Sequence, residues 1–465
     1  MPEVDTEMNR RSCRAILLLL LALSSFMLTP VFAAGMDIDS RITSGFDWIL
    51  GQELEYSSGK RAFVSGVSSN NEGNRIYVDQ NAIAATAFTM YHKVHTSKIY
   101  DEKLKSALNF IMSAQTDKKD FYHYWNLTTR KWNEDGALFY WNAYAIEGLA
   151  FSAFHMYASA TLQTDKTFYA KARGAAVVCV EEWHNRSQQA DGRWIFSYPD
   201  GSDHAEIDEN GMILTALLYL ALYEQYWGEM EKARVYTDWA ERTVSWMLSQ
   251  QETDENSWAY GGYYHDESEN VQYSDSNGRA LFGLTSYLRT ITSLKNQTDS
   301  SFWSVRASIY VWSDNFLLKM IDSTWGPYCY RTTFEKAQYP KQVLAAAELM
   351  RALVEIWVVL GDMKYVDYAA RLYDWITGIN EKNTDLQQAR NRKSELGGFW
   401  TGIDADGSIE DYSNLEITGT TTMAFIYGKW IAIPEFPSSA LYLILPTLLT
   451  LLFIIRYEER KRRMH

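Results

Sequence analysis

The chain has 465 residues with 58 acidic and 44 basic side chains, a formal net charge of -14, and 47% hydrophobic against 22% charged content. That composition is ordinary for a soluble globular protein with a large core. An acidic chain with no basic stripe or arginine-rich helix repels nucleic acid, which excludes that class of partner. Three cysteines in the whole chain exclude a disulfide scaffold, and none has a cysteine or histidine nearby at zinc-ligand spacing.

The first element has the parts of a secretory signal. Arg10, Arg11 and Arg14 precede an apolar run over 15–32, and Val31-Phe32-Ala33-Ala34 supplies small residues for cleavage. Ser24, Ser25 and Pro30 break the run in a way that suits a cleaved signal over 1–34 better than an uncleaved anchor. Beyond it only Cys179 and Cys329 remain, enough for one disulfide. The triplets beginning at Asn126, Asn185 and Asn296 are glycosylation sequons, expected on exposed loops of an exported chain.

From residue 36 to 432 the sequence repeats. Asn81 in DQNAIAATAF, Asn142 in YWNAYAIEGLAF, Asn210 in ENGMILTALLYL and Asn277 in SNGRALFGLTSYL are separated by 61, 68 and 67 residues (142−81, 210−142, 277−210). A fifth helix is due near Pro340 and a sixth lies in ITGTTTMAFIYGKW. These helices are apolar on nearly every face and must be buried all round. Between them run amphipathic helices, several closing on an aromatic and an amide: Trp48 before Gln52, Phe110 before Gln115, Trp246 before Gln250, Trp375 before Asn380. Six buried helices alternating with six amphipathic ones predict an all-α fold, an (α/α)6 barrel over 36–432.

The segments entering the buried helices hold the candidate chemistry, because they open onto one face of such a ring. Asp79, Asp208 and Asp275 occupy equivalent places before three of the asparagines, with Glu206 close by. Carboxylates mixed with Trp141, Trp194, Trp258, Tyr264, His265 and Trp400 are the ingredients of a sugar cleft, where aromatic faces meet pyranose rings and paired carboxyls do acid–base work. Asp208 with Asp275 is the expected catalytic pair, with Asp79 or Glu206 as substitutes. An acidic residue just before a helix also caps it, and the asparagines, shared by every copy, read as maintaining the fold. His265 is a candidate acid–base group or ligand partner. Asp404-Ala405-Asp406-Gly407 opens like a calcium loop, but its later positions do not follow. No metal and no cofactor is expected.

The chain closes on a proline-rich stalk (433–439), an apolar stretch (440–456) and a basic tail (457–465). About 18 apolar residues suffice for a short bilayer span, and the Arg460-Lys461-Arg462-Arg463 cluster keeps the tail in the cytoplasm and the ring outside. Pro434-Glu435-Phe436 followed by an apolar helix and a basic tail resembles the PEF-type C-terminal sorting signals of archaeal surface proteins. That resemblance implies an archaeal source and a sortase-like processing enzyme; a plain C-terminal transmembrane anchor is the alternative.

Over residues 40–430 the repeat length and the ring resemble the six-hairpin glycosidase superfamily, with its glucuronyl and rhamnogalacturonyl hydrolases and polysaccharide lyases. The resemblance implies an extracellular enzyme acting on glycans, often uronate-containing, with acids at the starts of buried helices. Gln188, Gly192 and Trp194 in QQADGRW match the Gln-x3-Gly-x-Trp repeat of terpenoid cyclases, and Gln250 to Trp258 is a looser copy. No Asp-x-Asp-Asp motif accompanies it, so it reads as packing shared between toroids. The expected function is a surface-anchored glycoside hydrolase or polysaccharide lyase; the alternative is a ring that binds glycans or proteins without reacting.

Overall fold

The computed structural model describes residues 35–65, 74–133, 140–197, 203–266, 270–295, 300–332, 337–390, 396–410 and 412–432. The predicted signal peptide, stalk, span and tail lie outside the described residues, as do Glu134, Asp135, Tyr198, Asp200, Asp411 and the third sequon. Among the described residues no helix is long and apolar enough to cross a membrane. By contacts the chain divides into Ala34–Gly428 and a second unit of its two ends, Met1–Ala33 with Lys429–His465. The first unit is the ring.

Twelve helices are described, alternating as the hydrophobic pattern requires. The outer ones are α1 (Gly35–Gly51), α3 (Asp101–Ser113), α5 (Gln163–Ser187), α7 (Met230–Ser249), α9 (Ser300–Val311, continued by a π-helical turn at Trp312–Leu317 and then Leu318–Met320) and α11 (Lys364–Thr377). The inner ones are α2 (Val78–His95), α4 (Trp141–Ser159), α6 (Ile207–Tyr226), α8 (Ser274–Lys295), α10 (Val343–Leu360) and α12 (Leu415–Ala432). On α6 every residue from Ile207 to Ala221 is buried, as a helix apolar on all sides must be. The terminal aromatics Trp48, Phe110, Trp246 and Trp375 of the outer helices are buried as well.

Small residues set the spacing of the inner ring. A Cβ at Gly211 on α6 would stand 2.9 Å from the Arg279 carbonyl of α8, and one at Gly278 on α8 would stand 2.8 Å from the Glu348 backbone of α10. Gly419 on α12 lies against Ile83 of α2, and Gly428 lies against Met350 of α10, so α12 fills the gap between the fifth inner helix and the first.

The repeated asparagines are clamps, and not helix caps. Asn210 accepts the Trp194 backbone N–H (2.9 Å) and donates to the Trp194 carbonyl (3.1 Å) and the Glu206 carbonyl (2.8 Å). Asn81 does the same to Phe63 and Tyr77, and Asn277 to Tyr263 and Tyr273, while Asn142 accepts the Phe121 N–H. Each side chain thus pairs like a short strand with the segment leaving the preceding outer helix. Without it a buried N–H and C=O would stay unpaired, about 1–3 kcal/mol for each group. In the fifth copy Ala346 stands at this place; in the sixth, Thr418 takes the Phe399 N–H at 3.2 Å.

The terpenoid-cyclase-like motif is a related clamp. Gln188 reaches the Trp239 carbonyl and Thr243 hydroxyl on α7, and the Trp194 indole N–H donates to that hydroxyl at 2.9 Å. Gly192 has φ +100 and presses on the Arg242 backbone, where a side chain has no room. In the next repeat Gln251, rather than Gln250, holds the following outer helix through the Ser308 carbonyl. The Asn185 sequon lies in the last turn of α5, exposed but helical, which corrects its expected loop position; Asn126 ends a strand and bonds the turn after it.

The sequence showed no alternating strand pattern, yet short strands crown the face where inner helices begin. They are β1 (Glu53–Ser57), β2 (Lys60–Phe63), β3 (Arg75–Tyr77), β4 (Tyr124–Asn126), β5 (Lys131–Trp132), β6 (Phe196–Ser197), β7 (Asp203–His204), β8 (Val271–Tyr273), β9 (Tyr328–Thr332), β10 (Gln338–Gln342), β11 (Ala389–Arg390), β12 (Leu396–Gly398), β13 (Gly402–Ile403) and β14 (Ile409–Glu410). Five of them form an antiparallel sheet in the order β14-β13-β10-β9-β8. Strand β3 runs directly into α2, β8 into α8 and β10 into α10. First helical residues also lean on the next copy: Val78 N–H bonds the His123 carbonyl, Ile207 that of His265, Val343 that of Thr401. Leu415 N–H returns to the Ser65 carbonyl at 2.6 Å and closes the circle.

Candidate active site

The clamp fixes the start of each inner helix, and the residue two places before it is therefore held at the mouth of the ring. That residue is Asp79 on α2, Tyr140 before α4, Asp208 on α6, Asp275 on α8 and Glu416 on α12. Four carboxylates thus converge from four helices, with Glu206 and Glu209 flanking Asp208. Asp208 and Glu209 are buried, whereas Asp79, Asp275, Glu206, Glu416 and Tyr140 keep part of their surface open.

Arg279, one turn into α8, holds the cluster together. Its guanidinium lies 3.4 Å from Asp208, 3.1 Å from Glu348 of α10 and 2.7 Å from Glu416, and it also donates to the Tyr144 hydroxyl. The guanidinium is 8% exposed and serves three carboxylates, so its planar fork is fully used. His265 forms the second centre. Its Nε2 stands 3.4 Å from Glu206, its Nδ1 3.8 Å from Asp208 and 3.3 Å from the Ser276 hydroxyl, with the Tyr273 ring edge-on at 4.9 Å.

These neighbours set the proton affinities apart. Burial pushes the Asp79 carboxyl up, and the Glu416 charge adds to it, to about 7. Glu209 is driven well up by burial and by Asp208 and Glu206. Asp275 is raised by burial, with Arg279 opposing and Asp208 adding. Asp208 moves the other way: burial opposes its charge, but His265 and Arg279 together hold it below its ordinary value. His265, which burial alone would discharge, is held up to about 9 by Glu206, Asp208 and Asp275. The site therefore carries at once a carboxyl that keeps its proton to near neutrality, a carboxylate that keeps its charge, and an imidazolium between two anions.

Glu206, Asp208 and His265 offer three donor atoms within 4.8 Å of one another, types that also suit a divalent cation. Each imidazole nitrogen faces a different carboxylate, an arrangement made for a bridging imidazolium. Beneath Arg279 the ring axis holds a cavity of about 30 Å³ lined by Glu147, Glu348, Arg351 and Thr420, with burial raising Glu147 to about 7. That is room for roughly two waters and no sugar, so a substrate reaching Arg279 comes from the mouth.

The predicted carboxylates Asp79, Asp208, Asp275 and Glu206 are all at this mouth. The predicted aromatic platform is corrected in part. Trp194 is 0% exposed and bonded to Thr243; Trp141 is 1% exposed, donates to the Phe121 carbonyl at 2.9 Å and stacks on His123 at 4.0 Å. Both are packing residues that present no face to a ligand. Tyr264 gives its hydroxyl to Glu252, Trp400 is half-buried with its backbone N–H on the Leu386 carbonyl, and Trp258 is exposed at 45%. The sequence does not single out Arg279 and Tyr144, whereas Tyr140, Glu209 and Glu416 stand among the entry-segment residues without an assigned role. Arg279 had a signal, a cation two places after the repeated asparagine in a helix predicted to be buried, and Glu416 lies two places before Thr418 as the aspartates lie before their asparagines.

No protein-family model matches the chain, and no curated protein is similar to it. Solved structures are. Cellobiose 2-epimerase from Spirochaeta thermophila superposes with a TM-score of 0.62 at 12% identity, over 87% of this chain and 98% of that one. A D-mannose isomerase gives 0.63 at 11%, over 87% and 100%, and a GH76 alpha-mannanase from Bacteroides thetaiotaomicron 0.55 at 10%, over 85% and 96%. At these identities the likeness is one of fold alone: the chain is an (α/α)6 toroid.

Proposed function

We propose that this protein is a carbohydrate-active enzyme that cleaves glycans by carboxylate acid–base chemistry at the mouth of its toroid. The observation that carries the reading is the convergence of Asp79, Asp208, Asp275 and Glu416 from four inner helices on one mouth, where burial raises Asp79 while Arg279 at 3.4 Å and His265 at 3.8 Å keep Asp208 charged. Two carboxyl groups pushed apart in this way suit an acid and a base for the same bond. Asp79 gives its proton to the glycosidic oxygen as the bond to the anomeric carbon breaks. Asp208, charged between Arg279 and His265, serves as the base that takes a proton from the attacking water, or as the nucleophile. Asp275 and Glu416 line the same mouth and accept hydroxyl hydrogen bonds. The toroids of similar fold include an epimerase, an isomerase and a mannanase, all sugar-processing by name.

The export signal and the basic cluster after 440–456 support display outside the cell on a single C-terminal helix, and Pro434-Glu435-Phe436 supports processing by a sortase-like enzyme. Protease treatment of intact cells tests this: a ring left untouched would place it inside.

The activity is tested on a panel of uronate-containing and neutral polysaccharides, reading reducing ends and 235 nm absorbance together. Product is expected from the wild type, with kcat/KM level up to about pH 7 and falling about tenfold per unit above it as Asp79 loses its proton. In Asp79→Asn the residual rate should lose that upper limb. A limb that persists unchanged removes Asp79 from the acid role, and binding without product on every glycan replaces the enzyme by a recognition module.

A further inference from the structure

Away from the mouth, the β1–β2 hairpin leans over α3 and α5 and leaves a groove of about 490 Å³. That is a volume suited to a small-molecule or short oligomer ligand. It is lined by Lys60 and Arg61 of the hairpin, by Asn109 and Ser113 of α3, by Lys171 of α5 and by Tyr56. No lining residue is acidic, in a chain whose formal net charge is -14. Lys60 and Lys171 are exposed and have no ion-pair partner among the described residues. Arg61 shares one carboxylate, Glu53 at 3.2 Å, with Lys103 at 2.6 Å, so that corner is also short of negative charge. Glu55, paired across the hairpin with Arg61, accepts the Gly59 N–H at 2.9 Å.

The other groups in the groove suit a hydroxylated ligand. Tyr56 is braced edge-on by Phe110 (5.2 Å) and Trp125 (5.6 Å), and its hydroxyl stands 3.3 Å from the Ser113 hydroxyl. A rigid aromatic flanked by an amide, hydroxyls and cations can meet the apolar face of a sugar ring, its hydroxyls and its acidic substituent together. A flat anionic membrane would engage projecting cations instead and would leave a concave, hydroxyl-lined groove empty.

We propose that this groove is a second glycan site that binds an anionic polysaccharide segment, carboxylated or sulfated, apart from the carboxylate cluster at the mouth. The proposal rests on the reading of the protein as glycan-active. It would tether the enzyme to an acidic polymer whose chain the mouth works on, and its unpaired cations supply what the acidic mouth lacks.

Calorimetric titration of the full-length chain carrying Asp208→Asn, so that nothing turns over, tests it with three ligands: oligogalacturonate, a sulfated oligosaccharide and a neutral mannooligosaccharide. Both anionic ligands, or the one whose substituent the groove prefers, should bind in a salt-sensitive way. Lys60→Gln with Lys171→Gln should weaken that binding about tenfold, as loss of two screened charge contacts does. The same pair of substitutions in the otherwise wild-type chain should leave kcat on a small soluble substrate unchanged, and thermal unfolding too, since both lysines are exposed. Undiminished anionic binding in the lysine variant overturns the proposal, and so does an equal loss for the neutral ligand. Failure of the catalytic reading would show separately, as a wild type without kcat while groove binding remains readable.

Discussion

Asp208→Asn should lower kcat on whichever glycan the wild type cleaves by about a thousandfold, within the range of losing one acid–base group, while the ring stays folded. The substitution keeps the shape of the side chain and its place between α6 and α8, and removes only its charge. In the wild type that charge is stabilised from two sides, by Arg279 at 3.4 Å and by His265 at 3.8 Å. Its proton affinity is lowered in the fold, so its share of stability is present above the ordinary carboxylate range and is lost as pH falls through the folded value. The variant should lack this acid-side dependence. His265 gives a second readout: one of the anions that hold its imidazolium disappears, so its titration, followed by NMR, should move down from about 9. A variant with wild-type kcat ends the assignment of Asp208 as base or nucleophile, whatever happens to His265.

Arg279→Met should destabilise the ring by about 3–5 kcal/mol at neutral pH, measured by urea unfolding, because it leaves buried charges without their counterion. Three carboxylates, Asp208, Glu348 and Glu416, point at this one guanidinium, and the Tyr144 hydroxyl is bonded to it as well. Glu348 retains Arg351 at 2.8 Å, so the unpaired charge falls mainly on Asp208 and Glu416. The loss should shrink as pH is lowered, since protonating those carboxyls removes the repulsion. Arg279→Lys keeps the charge but offers a compact ammonium in place of a fork spanning three partners, so its stability should fall between wild type and Arg279→Met. A methionine variant within 1 kcal/mol of wild type would mean that water already screens the cluster.

Arg279 also shows why catalysis and stability are hard to separate here. The guanidinium lowers Asp208, and through Glu416 it borders Asp79, whose raised affinity depends on that neighbouring charge. Removing it would raise both carboxyls, and Asp208, which it contacts directly, would move toward Asp79 and narrow the difference that makes one an acid and the other a base.

The sequence by itself determined the ring. Four asparagines at nearly even spacing, each opening a helix apolar on every side, leave a closed double circle as the way to bury those helices, and the clamps made by Asn81, Asn142, Asn210 and Asn277 are the physical cause of the repeat. It also placed acids two residues before three of those clamps, because that relation is local and survives in one dimension. Tertiary structure decided the rest. Whether Trp141 and Trp194 face a ligand or a neighbouring helix depends on what packs over them, and both are covered. The five-stranded crown joins segments from β8 to β14 that are each too short to carry an alternating pattern. Arg279, Glu348 and Glu416 lie on three different helices and become one site only when the circle closes, and the proton affinities at that site exist only once burial has removed water from between them.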